Sequence, residues 1–589
     1  MAPYLEYYQN RFAGLNTNSE KSLQIIEATV CSNAKIDNDG SLMSRLGYAE
    51  RNGTAVTGTP NMISIYRWEG ESKFIASGGT NLYVGAETSP YNFTSIKSGL
   101  TSGGKWSFAP YQDQLYMCDG NNNLKYDGTN VVTWGIETPD VDSTTATATG
   151  SGSFGGDFDY KISYVVNNSQ EGNASALFTV DDTGTTFASI NLANIPTGEA
   201  DTVSRKIYRT KTGDSVFYLL ATISNNTTTT YTDTTADASL GTATAPSDKG
   251  APGVCKFCIE HNNFIFAVNA GTPTRLIFST QTDADIFPAA NYWDFPRDIT
   301  GICSFAGTLW VFTQNYIYPI YGNDTTDFQR DMTPQFFPGT VSHRSIVVTE
   351  LGIFYLAKDG VYNFNGSAIQ LVSARIAGDE NNEIEDILDT YKANSCAGYF
   401  EGKYYLSVTT SGTTNNETYI FDTIANREVP DVPTGHWSIY TYGFNDFNVW
   451  EDGTFFGAGN SGYIYQLESG NDDGTTDAAI TMSYATKPLE LPDPDGVTGG
   501  VFRIREVIVW ASLATDTLTV KLDVQNETQT QTYTKSITTD IGTTVKPIRF
   551  SVPTFLTGRT VKNTFGSVSD EQCKIEAYLI RYIPLVGRR

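Results

Sequence analysis

Ile353-Phe354-Tyr355-Leu356-Ala357-Lys358-Asp359-Gly360-Val361-Tyr362-Asn363-Phe364-Asn365-Gly366 decides the fold. Two short aromatic and β-branched runs flank an Asp-Gly turn, and an Asn-Gly turn follows, which is the pattern of a β-hairpin entering a further strand. Looser copies lie on both sides. Upstream are Met62-Ile63-Ser64-Ile65-Tyr66 with Phe74-Ile75-Ala76 and Leu82-Tyr83-Val84, then Gln114-Leu115-Tyr116-Met117 with Leu124-Lys125-Tyr126. Further copies are Phe264-Ile265-Phe266-Ala267 with Leu276-Ile277-Phe278, and Leu309-Trp310-Val311-Phe312 with Ile317-Tyr318-Pro319-Ile320. Tyr404-Tyr405-Leu406 with Tyr419-Ile420-Phe421, and Phe455-Phe456-Gly457 with Tyr463-Ile464-Tyr465, complete the set.

The copies recur roughly every 40–45 residues, the period of propeller blades. A lone four-stranded sheet leaves two faces bare, and radial stacking buries them against neighbours while shortening the exposed edges. The expectation is a mostly β chain built on a degenerate β-propeller of six or seven blades, its first part at 59–136 and its second at 251–472.

Composition agrees. The 589 residues include 34 Tyr, 32 Phe and 53 Gly, a balance that favours strands joined by tight turns. Length alone implies several domains. The net charge of −26 argues against a protein that wraps nucleic acid by neutralising phosphates. No basic, apolar leader opens the chain, and no apolar run reaches the ~18 residues of a membrane-spanning helix. Seven scattered cysteines suit a reducing compartment with thiols buried as small hydrophobes.

Residues 137–250 interrupt the repeat. A small-residue stretch at 144–156 reads as a linker, and six or seven short strands follow, including Tyr160-Lys161-Ile162-Ser163-Tyr164-Val165-Val166 and Lys206-Ile207-Tyr208-Arg209-Thr210. That density predicts an inserted fibronectin/immunoglobulin-like sandwich. From 473 to 589, long alternating runs such as Leu518-Thr519-Val520-Lys521-Leu522-Asp523-Val524 predict a C-terminal β-sandwich ending in Arg588-Arg589. Residues 1–58 read as an N-terminal arm packed along other elements. Ile384, Ile387, Leu388 and Tyr391 predict one helix between Asp379 and Ala393, capped by Asp379 or Asn381.

No motif assigns a catalytic, cofactor-binding or metal-ligating residue, and no cofactor is expected. Gly150-Ser151-Gly152-Ser153-Phe154-Gly155 has dinucleotide-loop spacing but lacks the strand before it and the helix after it. Cys255-Lys256-Phe257-Cys258 with His261 offers too few zinc ligands, and residues three apart on a strand face opposite sides. Asp37-Asn38-Asp39-Gly40 begins like a calcium loop, but its twelfth position is Tyr48. Asp493-Pro494-Asp495-Gly496 reads as an acidic turn. The carboxylates fall into no recognisable hydrolytic pair, so the chain is read as no enzyme.

The order of parts resembles the tail nozzle, or packaged-DNA stabilisation, proteins of short-tailed bacteriophages. Phe12-Ala13-Gly14-Leu15-Asn16-Thr17, then Asp39-Gly40-Ser41-Leu42 and Arg45-Leu46-Gly47-Tyr48, is similar to that family's opening. Lys206 to Thr210 and Tyr231-Thr232-Asp233-Thr234 resemble sandwich modules of phage tail proteins. Ile299-Thr300-Gly301-Ile302 leading to Leu309, the hairpin that opens this section, and Cys573-Lys574-Ile575-Glu576 near the end are also family-like. The large insertion departs from the family's compact members.

The resemblance implies a structural virion protein, assembled in the host cytoplasm into a homo-hexameric nozzle ring. The ring would extend the portal–adaptor channel, bind the portal–tail adaptor protein and tail fibres or spikes, and retain packaged DNA without sequence-specific binding. Acidic walls repel phosphates and let DNA slide. Polar loops at 323–334 and 409–417 are the candidates for closing the channel. The alternative is a receptor-binding or glycan-cleaving tail protein.

Overall fold

The computed structural model describes residues 4–18, 26–58, 64–68, 73–86, 91–167, 169–180, 186–333, 336–376, 384–424, 435–450, 452–474, 478–513, 517–538, 542–569 and 572–585. The protein is mostly β, and its repeat forms four-stranded antiparallel sheets with the make-up of propeller blades. Five such sheets stand alone. Their first strands are Ser64–Trp68, Ser107–Tyr111, Cys255–His261, Ile299–Phe305 and Val347–Thr349, and we number the sheets 1 to 5 in that order. Sheet 6 begins with Cys396–Phe400 and sheet 7 with Asp446–Val449, and both are continuous with further strands.

Each sheet packs on the next through its aromatic and aliphatic faces. Trp68 and Ile75 of sheet 1 meet Leu115 and Met117 of sheet 2. Tyr116 and Cys118 meet Ile265 and Ala267 of sheet 3, whose Phe266 and Val268 meet Leu309 and Val311 of sheet 4. Trp310 and Phe312 meet Ile353 and Tyr355 of sheet 5. Phe354 and Leu356 pack with Tyr404 and Leu406 of sheet 6, and Tyr405 and Ile420 with Phe447 and Phe455 of sheet 7. Phe456 and Ile464 return to Ile65 and Phe74 of sheet 1. Both faces of a sheet are thus covered, which is why its middle strands are apolar throughout rather than alternating.

The order of the chain is broken where the sheets join. Tyr48–Glu50, from the N-terminal segment, is the fourth strand of sheet 7, with Leu467 opposite Tyr48 and Tyr465 opposite Glu50. Ala28–Ser32 lies between sheet 6 and Ala478–Thr486. Leu5–Gln9 pairs along Lys574–Pro584, and Ala34–Ile36 with Leu42–Ser44 adds a hairpin to that strand's other end. Residues 1–58 therefore lend strands to sheet 7 and to the C-terminal sheets.

Two sheets form the C-terminal part, one centred on Phe502–Leu513 and Lys574–Pro584, the other on Thr517–Gln525 and Thr560–Ser569. Thr517–Gln525 alternates strictly, with Leu518, Val520, Leu522 and Val524 inward. Its core is continuous with that of sheets 5 and 6, through Trp437, Tyr404 and Leu406.

In the insertion, Thr145–Phe154, Phe187–Ala193 and Tyr231–Asp233 face Asp159–Val166, Thr202–Arg209 and their partners across one apolar core. The stretch read as a linker is strand from Thr145 on: Ala146 and Ala148 pack on that core, and Thr145, Thr147 and Thr149 alternate with them. Small residues do not make a linker when every second one is β-branched. Of the expected helix, the described residues from 384 on are helical only at Asp389–Lys392. Ile384 and Ile387 are buried, but Leu388 points to solvent with extended backbone and opens the turn, so the apolar spacing belongs to a plugging loop. The proposed caps Asp379 and Asn381, and the tail Arg588-Arg589, lie outside the described residues.

Candidate functional site

Polar groups on and next to the first strands, with Asn415 from a loop of sheet 6, hydrogen-bond each of the seven sheets to the next in a closed circuit. Trp106 N–H donates to Ser64 Oγ (3.2 Å), joining sheets 1 and 2. Ser107 Oγ accepts from Cys258 N–H (3.1 Å) and donates to the Cys258 carbonyl (3.0 Å), joining 2 and 3. His261 Nδ1 lies 2.8 Å from Ser304 Oγ. Thr300 Oγ1 donates to the Thr340 carbonyl (2.7 Å), and Ser342 Oγ to that of Ser395 (2.8 Å). Asn415 Nδ2 donates to the Phe444 carbonyl (2.9 Å). Asp446 Oδ2 accepts from Ile65 N–H (3.0 Å), which closes the circuit on sheet 1.

Within this circle is a cavity of about 270 Å³, lined by Lys105, Trp106, Lys256, Phe257, Asp298, His343 and Arg344 among others. Arg344 Nη2 pairs with Asp446 at 2.6 Å. Burial opposes the Arg344 charge, but Asp446 outweighs it and keeps the guanidinium protonated. Lys105 Nζ donates to the Ala393 carbonyl (3.2 Å) and to Asn394 Oδ1 (3.0 Å). Burial, reinforced by Arg344, pushes its ammonium down to about 8.

His343 packs its ring on Phe257, with centroids 4.3 Å apart, and its Nδ1 accepts Ile302 N–H at 3.4 Å. Burial, and then Arg344, pushes its pKa down to about 3, so the ring is neutral. Its Nε2 lies 3.5 Å from Ser107 Oγ. That is no nucleophile–base couple, because the Ser107 hydroxyl is already given to the Cys258 carbonyl and the imidazole is too weak a base. What the cavity offers is positive charge and donors.

A larger groove of about 840 Å³ lies between the turns of sheets 4 and 5, lined by Tyr316, Phe337, Lys358, Asp359, Glu385 and Lys392 among others. Its charged side chains are largely engaged with one another and with backbone. Asp359 accepts Tyr362 O–H (2.8 Å), Lys358 pairs with Asp389 (3.2 Å), and Lys392 Nζ donates to the Glu385 carbonyl (3.0 Å).

The sequence candidates resolve into structural roles. Cys255 and Cys258 share one apolar cluster with Cys118, because a register shift between Cys255 and Phe257 turns both to the same side. His261 spends its ring nitrogens on Ser304 and Asn262. Among the described residues no group of three His, Cys, Asp or Glu could hold a metal. Asp39 accepts from Ser41 N–H (2.9 Å) and pairs with Lys574 (3.1 Å), while Asp493 accepts N–H groups of Asp495 and Val497 in its own turn. Gly150 to Phe154 is strand. The loop at 409–417 is pinned by buried Thr409 and Asn415, leaving 411–414 exposed. At 323–333 Asp327 folds the chain back by accepting the N–H groups of Asn323 and Asp324. Sequence reading missed the axial residues, which come one to four each from sheets 2 to 6, between positions 105 and 393; the local signal was Lys256 inside the Cys-Lys-Phe-Cys phrase.

No protein-family model matches the chain, and no curated protein matches it either. Solved structures similar to it include apo AztD from Citrobacter koseri, at 11% identity over 64% of this chain and 88% of that one, TM-score 0.19. The extracellular domain of the one component system BT4673 from B. thetaiotaomicron is 10% identical over 90% and 73%, TM-score 0.20. A family 43 arabinoxylan arabinofuranohydrolase from Bacillus subtilis, in complex with cellotetraose, is 8% identical over 91% and 95%, TM-score 0.16. At these TM-scores no property of the three transfers to this chain.

Proposed function

We propose that this chain is a tail nozzle, or packaged-DNA stabilisation, protein of a short-tailed bacteriophage: a structural virion protein rather than an enzyme. In this reading sheets 1 to 7 are the blades of one degenerate seven-bladed β-propeller, 137–250 is a fibronectin/immunoglobulin-like insertion, and 473–589 is a C-terminal β-sandwich. The observation that supports it best is how the N-terminal segment is used. Tyr48–Glu50 completes sheet 7 and Leu5–Gln9 runs along the last strand, so arm, interrupted sheet ring and C-terminal sheets form the order of parts on which the resemblance rests.

The axial cavity bears on the conduit. At about 270 Å³, and lined by Arg344 of the Arg344–Asp446 pair, it has the size of a small-molecule site and cannot pass a double helix. DNA would run between copies, and a hexameric ring is the arrangement the family implies. Six copies bring six times the charge of −26 to one assembly, a field that lets phosphates slide rather than stick. The ring would sit on the portal–tail adaptor protein, with the insertion placed to meet tail fibres or spikes.

Negative-stain imaging and mass photometry of the purified chain, alone and with a portal–adaptor assembly, test this. A six-fold ring with an open centre is expected. Monomers or trimers that ignore the adaptor and turn over a glycan would replace it with the receptor-binding or glycan-cleaving reading.

A further inference from the structure

Buried charges are normally paired, because leaving water without a partner costs several kcal/mol. Lys105 and Lys256, both half-buried at the axial cavity, give up part of their hydration without such a partner. Arg344 is met by Asp446, but among the described residues no carboxylate pairs with Lys105 or Lys256. Lys105 has only neutral acceptors, and Lys256 lies over the Phe257 ring (5.6 Å). This occurs in a chain with 65 Asp and Glu against 39 Lys and Arg, where acidic partners are abundant. The two lysines come from different sheets and line the same cavity, whose side at Asp298 and Ala393 is open to solvent.

We infer that the axial cavity is a binding site for a small phosphate-type oxyanion, held between Lys105 and Lys256 with Arg344 behind them. The volume, about 270 Å³, suits one compact anion with part of its hydration. Charge-assisted hydrogen bonds from ammonium groups are the strong kind, and the surrounding Trp106 and Phe257 lower the local dielectric that strengthens them. His343 is neutral there and contributes no charge, so the attraction rests on the lysines and Arg344. Asp298, the exposed carboxylate of the lining, opposes the anion and limits its affinity. The same chemistry is offered by free phosphate and by the phosphate of a small monoester. The inference concerns one chain's own cavity and stands whether or not the chain is a nozzle.

Isothermal titration calorimetry of the full chain with inorganic phosphate, and separately with glycerol phosphate, at constant ionic strength, tests it. One saturable site per chain is expected. If phosphate binds and the ester does not, the ligand is the free ion; if the ester binds tighter, it is a monoester. Lys105→Gln and Lys256→Gln should each weaken binding about tenfold or more, the loss of one charge-assisted hydrogen bond. Lys521→Gln, which removes a surface lysine paired with Asp523, should leave binding unchanged. Asp298→Asn changes an exposed side chain, so its folding is not at risk, and it should tighten binding severalfold by removing the opposing charge. Absence of a saturable site, or equal affinities in wild type, Lys256→Gln and Asp298→Asn, would overturn the proposal.

Discussion

Arg45 grips Asp473 with both ends of its guanidinium: Nη1 lies 2.7 Å from Oδ1 and Nη2 2.5 Å from Oδ2. The arginine side chain is fully buried, its Nε donates to Asn33 Oδ1 (2.9 Å), and the group lies over the rings of Tyr440 and Tyr442. One ion pair therefore ties the N-terminal segment, the last strand of sheet 6 and the entry to the C-terminal sheets. Arg45→Lys keeps the charge but cannot reproduce the two-pronged geometry or the stacking. Asp473→Asn leaves the guanidinium buried without its counter-charge. Each should cost roughly 3 kcal/mol in urea unfolding. Gly47→Ala should cost as much by another route, since its Cβ would fall 1.8 Å from the Asp472 carbonyl oxygen. Unchanged midpoints would show that the seam is carried by the apolar packing around Tyr48.

What could be read from the sequence, and what could not, follows from range. The Ile353 to Gly366 hairpin was legible because both strands and the turn are neighbours in the chain. The closing of sheet 7 was not, because Tyr48 meets Leu467 across more than four hundred residues and no local pattern names the partner. Arg45-Leu46-Gly47-Tyr48 stood out only as a family-like phrase; its reason is the Asp473 pair, the close approach at Gly47 and the packing of Tyr48 on Tyr442, Phe444 and Tyr465. The Cys255/Cys258 facing was misjudged because a single bulge inverts strand alternation. The axial site was invisible for the same reason as the closure: five sheets give it only a few residues each.

The two phrases that resemble phage tail modules meet inside the insertion. Arg209, from Lys206 to Thr210, pairs with Asp233, from Tyr231 to Thr234, at 2.5 Å with both side chains fully buried, and Tyr160 O–H donates to the same carboxylate (2.8 Å). Asp233→Asn should loosen the two sheets from each other by about 3 kcal/mol or more. Limited proteolysis of the full chain reads this directly: cleavage should begin within 137–250 while the seven-sheet body stays intact. Uniform resistance would mean that the apolar core around Tyr160 and Ile190 holds the insertion without the pair.

A buried carboxyl next to Lys125 works against the fold at neutral pH. Lys125 pairs with Asp285 (2.8 Å) and Asp201 (2.9 Å), linking sheets 2 and 3 to the insertion. Neighbouring Asp283 has no partner for its Oδ2, and burial, with some repulsion from Asp285, pushes its pKa up to about 6. A raised carboxyl pKa means the folded chain holds the proton more tightly than the unfolded one. The penalty is therefore absent below about pH 4, grows as pH rises to about 6 and is constant above it. Asp283→Asn should stabilise by roughly 2–3 kcal/mol above pH 7, with no gain below about pH 4. Thermal melts across that range check it, and a gain that persists in acid would assign the effect to something other than ionisation.

Histidine burial sets the acid limit. His436 Nδ1 accepts Gly14 N–H at 3.2 Å, holding the segment around Phe12 against Trp437, and burial followed by Arg375 pushes its pKa down to about 4. His343 at the axis is pushed down to about 3. Both are neutral when folded, whereas an unfolded chain protonates them near pH 6.5. Their contribution is therefore complete above about pH 6.5 and is lost as pH falls from there towards 4, at about 1.4 kcal/mol per pH unit for each. Carboxylates such as Asp39, with pKa lowered by its partners Ser41 and Lys574 against the opposing effect of burial, lose their share only below their ordinary range, so the first acid losses belong to the histidines. His436→Asn keeps an acceptor for Gly14 and removes the titration. It should lower stability at neutral pH through the lost packing, yet flatten the decline between about pH 6.5 and 4 by one histidine's share. Urea midpoints of wild type and variant over that interval decide it. Parallel curves would mean that His436 is protonated without opening the Gly14 contact, and the acid limit would then rest on His343 and on His261, which burial also pushes down.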